Sequence, residues 1–109
     1  MKITDIKQQV RRQGRYSIYA DDTYVFSLSE SELLTSGIRI GSQYSKQEFD
    51  ELLKVAVMDK AYMRILDLLA RRPRSRWELE QYLKRKDYDV SVIAETLKHA
   101  EEKGYINDE

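Results

Sequence analysis

Residues 71–83 read RRPRSRWELEQYL, with four arginines in six positions around the chain's only proline. Pro73 disfavours the α region for the residue before it, so a helix arriving from the N-terminal side stops here. Two residues on, Ser75 and Glu78 have the spacing of a capping box. In that arrangement the serine oxygen accepts from the N–H of the third residue and the glutamate reaches back to the cap N–H. One helix ends and another opens within a few residues, and the organisation of the chain follows outward from this junction.

Upstream, a second box at Ser45 and Glu48 opens a long helix running to about Arg71. Its apolar residues Phe49, Leu52, Leu53, Ala56, Tyr62, Ile65 and Leu69 follow helical spacing. Downstream, residues 76–86 turn Leu79, Tyr82 and Leu83 to one side. Asp89 then caps a last helix with an inner face of Ile93, Leu97 and Ala100, stopped by Gly104. A third box, Ser29 and Glu32, starts a short helix to about Ser36, with Gly37 beyond its end.

Before it, residues 3–9 and 15–28 are rich in Tyr, Val, Ile and Phe and read as strands. Gly14 turns the first connection, and Asp21-Asp22 the second. Three strands alone are marginal, so a helix should cover one face, with Ile18, Val25 and Leu28 turned inward. The expected fold class is α+β: a small three-stranded antiparallel β meander with a covering helix, followed by a three-helix bundle module. The division is expected as residues 1–42 and 43–109, with two core clusters. The second should unite Ile65, Leu69, Leu79, Leu83, Ile93 and Leu97. Small cores predict marginal stability and weak self-association, with Tyr105 and Ile106 exposed where a neighbouring module would dock.

Apolar residues make up 41% of the 109-residue chain and charged residues 35%, so a core fits but is thin. There is no cysteine, hence no disulfide and no thiolate chemistry. The start MKITDIKQQV has no apolar h-region and no long apolar run follows. This predicts a cytoplasmic protein with no membrane partner. Net charge is zero but unevenly placed. Residues 71–86 carry seven Lys/Arg against two Glu, a net +5, and residues 87–109 carry two Lys against seven Asp/Glu, a net −5.

Little here supports catalysis. The single histidine, His99, has no cysteine to pair with, and the ligand set for zinc is missing. GSQYSKQ, residues 41–47, lacks the spacing of a phosphate loop. Asp21-Asp22 reads as a turn, and Glu101 and Glu102 point about 100° apart on a helix, as a solvated face does. No cofactor is implied. Tyr16, Tyr19 and Tyr24 read as cross-strand pairs ahead of a base-stacking platform, and Trp77 as a core plug ahead of an exposed anchor.

The basic blocks remain. Arg71 and Arg72 end one helix and Lys84, Arg85 and Lys86 end the next, where cations oppose the negative end of the helix dipole. Arg64, seven residues before Arg71, extends the same face. Arg74 and Arg76 sit at a helix start, where positive charge is mildly unfavourable. That placement asks for an anionic partner outside the chain.

The runs AYMRILDLLARRPRSRWELEQYLKRKDYD and VIAETLKHAEEKGYINDE resemble the first helical repeat of RecX, the regulatory family that restrains the RecA recombinase. KITDIKQQVRRQGRYSIYADDTYVFSLSESELL, before them, is similar to the N-terminal extension of many RecX proteins. The junction pattern R-x-R-S-x-x-E-L followed by a glycine, an aromatic and an acidic close falls on Arg72, Arg74, Ser75, Glu78, Leu79, Gly104, Tyr105 and Asp108. The family generally stacks three such modules, and this chain ends as the first is complete.

The resemblance implies a non-enzymatic regulator, acting in DNA recombination, repair and the SOS response. Its partner would be the RecA nucleoprotein filament, with single-stranded DNA, and it would oppose filament growth. Arg64, Arg71, Arg72, Arg74, Arg76, Lys84, Arg85 and Lys86 become the candidate contacts. The competing reading is a helix-turn-helix or winged-helix-like DNA-binding module. No strand pair follows GYI to make a wing. The helix in the recognition position also carries three Glu against Lys98, Lys103 and His99, a poor partner for phosphate.

Overall fold

The computed structural model describes residues 1–12 and 14–106. Three strands, β1 (Ile3–Gln8), β2 (Arg15–Ala20) and β3 (Thr23–Ser29), precede four helices, α1 (Glu30–Ser36), α2 (Lys46–Arg71), α3 (Arg76–Arg85) and α4 (Val90–Glu102). The sheet is antiparallel in the order β1-β2-β3, so the expected α+β class and meander are present. The chain forms two compact units, Met1–Lys60 and Ala61–Glu109. Residues 43–60, expected with the helical module, therefore belong to the first unit. The reason is packing: Phe49, Leu52, Leu53 and Ala56 of α2 join the cluster built on the sheet.

In the first unit the β2–β3 turn places Asp21 at φ 50° and Asp22 at φ 64°, the left-handed pair that a two-residue hairpin of type I′ requires. Asx residues tolerate this conformation, and two bonds hold it. Lys2 N–H donates to Asp21 Oδ1 at 3.3 Å and Asp22 N–H to Thr4 Oγ1 at 2.9 Å. Ile3, Ile18, Ala20, Phe26 and Leu28 form the inner face of the core, with Val25 at its margin. The segment after α1 returns along the outer edge of β1. Ile3 N–H donates to Ser42 O and Gly41 N–H to Ile3 O, both at 2.8 Å, which satisfies part of an edge otherwise open to pairing.

Beneath this core lies a polar knot that the sequence reading missed. Arg15 and Asp59 pair at 3.3 Å with side chains only 8% and 7% exposed. Arg15 Nε donates to Ser27 Oγ at 3.1 Å and Nη2 to Ser27 O at 3.3 Å. Asp59 accepts from Ser29 N–H at 2.8 Å and from the Ser29 hydroxyl at 2.6 Å. Ser29 Oγ also accepts from Glu32 N–H, capping α1. The expected box is thus half formed by Glu32, and Asp59 takes the cap N–H. Buried charges are tolerated when paired and hydrogen-bonded in this way.

The second unit buries Ile65, Leu79, Leu83, Ile93 and Leu97 with Ala61, Ala100 and Ile106, and Leu69 packs against them. The six residues expected to meet do meet. Ser75 and Glu78 form the complete capping box, at 3.1 and 3.3 Å, as Ser45 and Glu48 do in the first unit. Asp89 is the N-cap of α4, but its side chain makes no capping bond.

α4 closes with Gly104 N–H donating to Glu101 O at 2.9 Å and Tyr105 N–H to Ala100 O at 3.0 Å, with Gly104 at φ 77°. This is the Schellman pattern, for which glycine carries no Cβ penalty. It turns Ile106 into the core, 8% exposed. Ile106 is therefore no part of an exposed docking face, whereas Tyr105 stays open to solvent. Asp108 lies outside the described residues. No described helix is long and apolar enough to cross a membrane.

Candidate functional site

The candidate contacts lie in the second unit, on the end of α2, the 72–75 turn and α3. The structure divides them by what each cation already touches. Arg64 is half-buried against Tyr82 and Tyr88, with its Nε lacking a hydrogen-bond partner among the described residues, and its interaction with Tyr82 is the chief reason its pKa is raised. It ties α2 to α3 and the following turn, so its guanidinium works mainly within the module.

Arg72 pairs with Glu78 at 3.1 Å and also donates to Pro73 O at 3.3 Å. Lys84 pairs with Glu80, one helical turn away, at 3.1 Å. Lys86 lies 5.8 Å from the Tyr82 ring centroid, within cation–π range. Glu78 is held below the usual carboxylate range, chiefly by the Ser75 backbone N–H and further by Arg72 and Arg74. The box and the arginines therefore reinforce one another.

Arg76 corrects the expectation most directly. It forms an ion pair with Glu101 of α4. Arg76 stands at the N-terminus of α3 and Glu101 in the last turn of α4. Each is on the wrong end of its own helix dipole, and each supplies the other's missing counter-charge. The electrostatic argument for an outside partner is thus answered internally at Arg76.

Arg74 makes no ion pair among the described residues, and its Nε, like that of Arg64, is buried there without a hydrogen-bond partner, an arrangement that costs free energy. Arg71 and Arg85 are exposed and make no ion pair among the described residues. Of the candidate contacts, Arg71, Arg74, Arg85 and Lys86 make no ion pair with a carboxylate among the described residues, and Arg64 lies against Tyr82 and Tyr88.

Trp77, expected in the core, is 68% exposed. Helix geometry accounts for it: Leu79 is two residues on, a rotation of about 200°, so burying Leu79 and Leu83 turns Trp77 outward. Beside it, Arg76, Glu80 and Lys84 rim a groove of about 210 Å³ lined by Val90, Ile93, Ala94 and Leu97. His99 stacks on Tyr62 with ring centroids 4.7 Å apart, bracing α4 on α2. Among the described residues no group of three or more His, Cys, Asp or Glu is placed to hold a metal ion.

Comparison with known proteins places this geometry. Residues 1–44 match the Regulatory protein RecX N-terminal domain, and residues 61–99 match the RecX first three-helix domain. Regulatory protein RecX of Listeria monocytogenes serotype 4a (strain HCC23) is 32% identical over 108 residues, 99% of this chain and 40% of the relative. Regulatory protein RecX of Bacillus subtilis (strain 168) is 32% identical over 107 residues, 98% of this chain and 40% of the relative. A crystal structure of regulatory protein RecX aligns with a TM-score of 0.77 and 29% identity, over 97% of this chain and 52% of that one. The chain thus spans about 40% of the length of these relatives. On both domain matches, in the same order along one fold, the chain belongs to the RecX family of regulatory proteins.

Proposed function

We propose that this chain is a cytoplasmic regulator of the RecA recombinase that binds the RecA–single-stranded DNA filament and restrains recombination and repair. Its contact surface is the α2–α3 junction and α3. Arg71, Arg74, Arg85 and Lys86 make the primary contacts. Arg72, Lys84 and Arg76 contribute only by exchanging a carboxylate of their own chain for the partner, and Arg64 holds the surface in shape. One observation supports this reading above the rest: residues 71–86 hold seven of the 19 Lys/Arg of a chain with no net charge, and four of those seven make no ion pair among the described residues. Guanidinium groups suit phosphate and carboxylate partners alike through their forked donors. Weak self-association belongs to the same proposal, through solvent-exposed Tyr105 and Val90.

The test is RecA ATP hydrolysis on single-stranded DNA with increasing amounts of this chain. The expected result is a slowing of hydrolysis that weakens as salt is raised. Hydrolysis that stays constant, with no binding of the chain to filaments at low salt, overturns the proposal.

A further inference from the structure

Trp77 is the chain's single tryptophan, and it stands in solvent rather than in the core. On α3 the residues sharing its face are Gln81 and Lys84, at i+4 and i+7, with Arg85 next to them at i+8. Lys84 lies about 10 Å along the helix axis from Trp77, at 1.5 Å rise per residue. Before it in the chain, at the end of α2 and in the turn that leads into α3, come Arg71 and Arg74. The two glutamates nearby are engaged: Glu78 holds the cap N–H and Arg72, and Glu80 pairs with Lys84. An exposed indole therefore lies, along the chain, between two sets of cations.

We infer that Trp77 is a base-stacking contact for single-stranded nucleic acid, with Arg71 and Arg74 on one side and Lys84 and Arg85 on the other engaging phosphates. The inference rests on the basic-surface reading above and extends it from charge to stacking. Single-stranded binders combine a positive track with aromatic faces that accept any base. A protein hot spot of the same residue type is ringed by apolar contacts that exclude water. Trp77 is not part of the lining of the neighbouring apolar groove, whose α3 rim is Arg76, Glu80 and Lys84; its own companions on α3 are polar, and stacking on a base does not need a dry rim.

The experiment uses the full chain and follows the fluorescence of its single tryptophan. The probes are a 15-nucleotide oligothymidine and an abasic deoxyribose-phosphate oligomer of the same length, both at low salt. Oligothymidine should quench and shift the emission, and the abasic oligomer should leave it nearly unchanged. By anisotropy of labelled probes, Trp77→Ala should weaken oligothymidine binding about tenfold, leave the abasic oligomer unaffected, and keep the thermal midpoint. Trp77→Phe should recover most of the loss.

If Trp77→Ala binds oligothymidine as the parent does while an Arg71→Ala/Arg74→Ala/Arg85→Ala variant is impaired, the stacking contact is overturned and the basic surface stands. If neither variant changes binding, both fail. If Trp77→Ala impairs capture by DNA-free RecA but not oligothymidine binding, the indole is a protein contact and the inference is wrong.

Discussion

Replacing Asp59 by alanine should unfold the first unit more readily than any surface change. Asp59 accepts from Arg15 at 3.3 Å, from Ser29 N–H at 2.8 Å and from the Ser29 hydroxyl at 2.6 Å. Among the described residues its removal leaves the Arg15 side chain with only the two contacts to Ser27, and water reaches little of that guanidinium. It also orphans the Ser29 N–H at the start of α1. Breaking a buried pair from one side costs about 3–5 kcal/mol, a large share of the roughly 5–15 kcal/mol that stabilises an ordinary domain. At about 4–8 °C per kcal/mol for a unit of this size, the midpoint should fall by more than about 12 °C. Urea unfolding followed by circular dichroism measures the loss, and amide exchange in β2 and β3 locates it. The apolar replacement Arg15→Met/Asp59→Leu should cost clearly less, because no charge is left uncompensated. A loss below about 1 kcal/mol for Asp59→Ala, where about 3–5 is expected, refutes the reasoning. So does a double variant less stable than the single one.

The Arg76–Glu101 pair is partly exposed, so a double-mutant cycle on urea midpoints should give a coupling of about 0.2–1 kcal/mol, and zero coupling would show it idle. Leu83→Ala, at a fully buried position, should cost about 2–5 kcal/mol by the same measurement. Glu78 has a lowered pKa in the fold, so its share of stability is present above the unfolded value of about 4.3 and is lost as pH falls through the lower folded value. Thermal midpoints of Glu78→Gln should accordingly show a flatter decline in that acidic window than the parent's. Glu32 runs the other way: burial and then Asp59 raise its pKa. Its stabilising share is complete below the unfolded value and disappears as pH rises through the folded one, and Glu32→Gln should remove that dependence.

Much of the fold was legible because local signals agreed. Capping serines, Pro73 and the spacing of Leu79, Leu83, Ile93 and Leu97 all mark the same helices. The six residues named for the second core lie together for that reason. The unit boundary was less legible, since one uninterrupted helix gives its first turns to the sheet core and no Gly or Pro marks the change. The Arg15–Asp59 knot is invisible to pattern reading because its members are 44 positions apart. The one trace is Asp59 itself, three residues beyond the buried Ala56 on the inward side of α2. Trp77 was misread through its size, although its angular offset from Leu79 already pointed outward. For the basic cluster, sequence showed where charge concentrates and the structure shows which charges are already matched. Helix-dipole logic flagged both Arg74 and Arg76, but it took Glu101, two helices' length away along the chain, to separate them.

The central expectation is that the unmatched cations of residues 71–86, rather than the paired ones, meet the anionic partner. Binding of the full chain to RecA–single-stranded DNA filaments should be measured across a salt series. The variants are Arg71→Ala/Arg74→Ala/Arg85→Ala and the charge-swapped Arg76→Glu/Glu101→Arg. If these cations meet DNA phosphates, losing three of them should lower the log–log salt slope by about 2, at about 0.7 per single-strand phosphate contact. The swap, which keeps its ion pair, should leave affinity and slope near the parent's. A triple variant that binds like the parent, or a swap that abolishes binding, contradicts it.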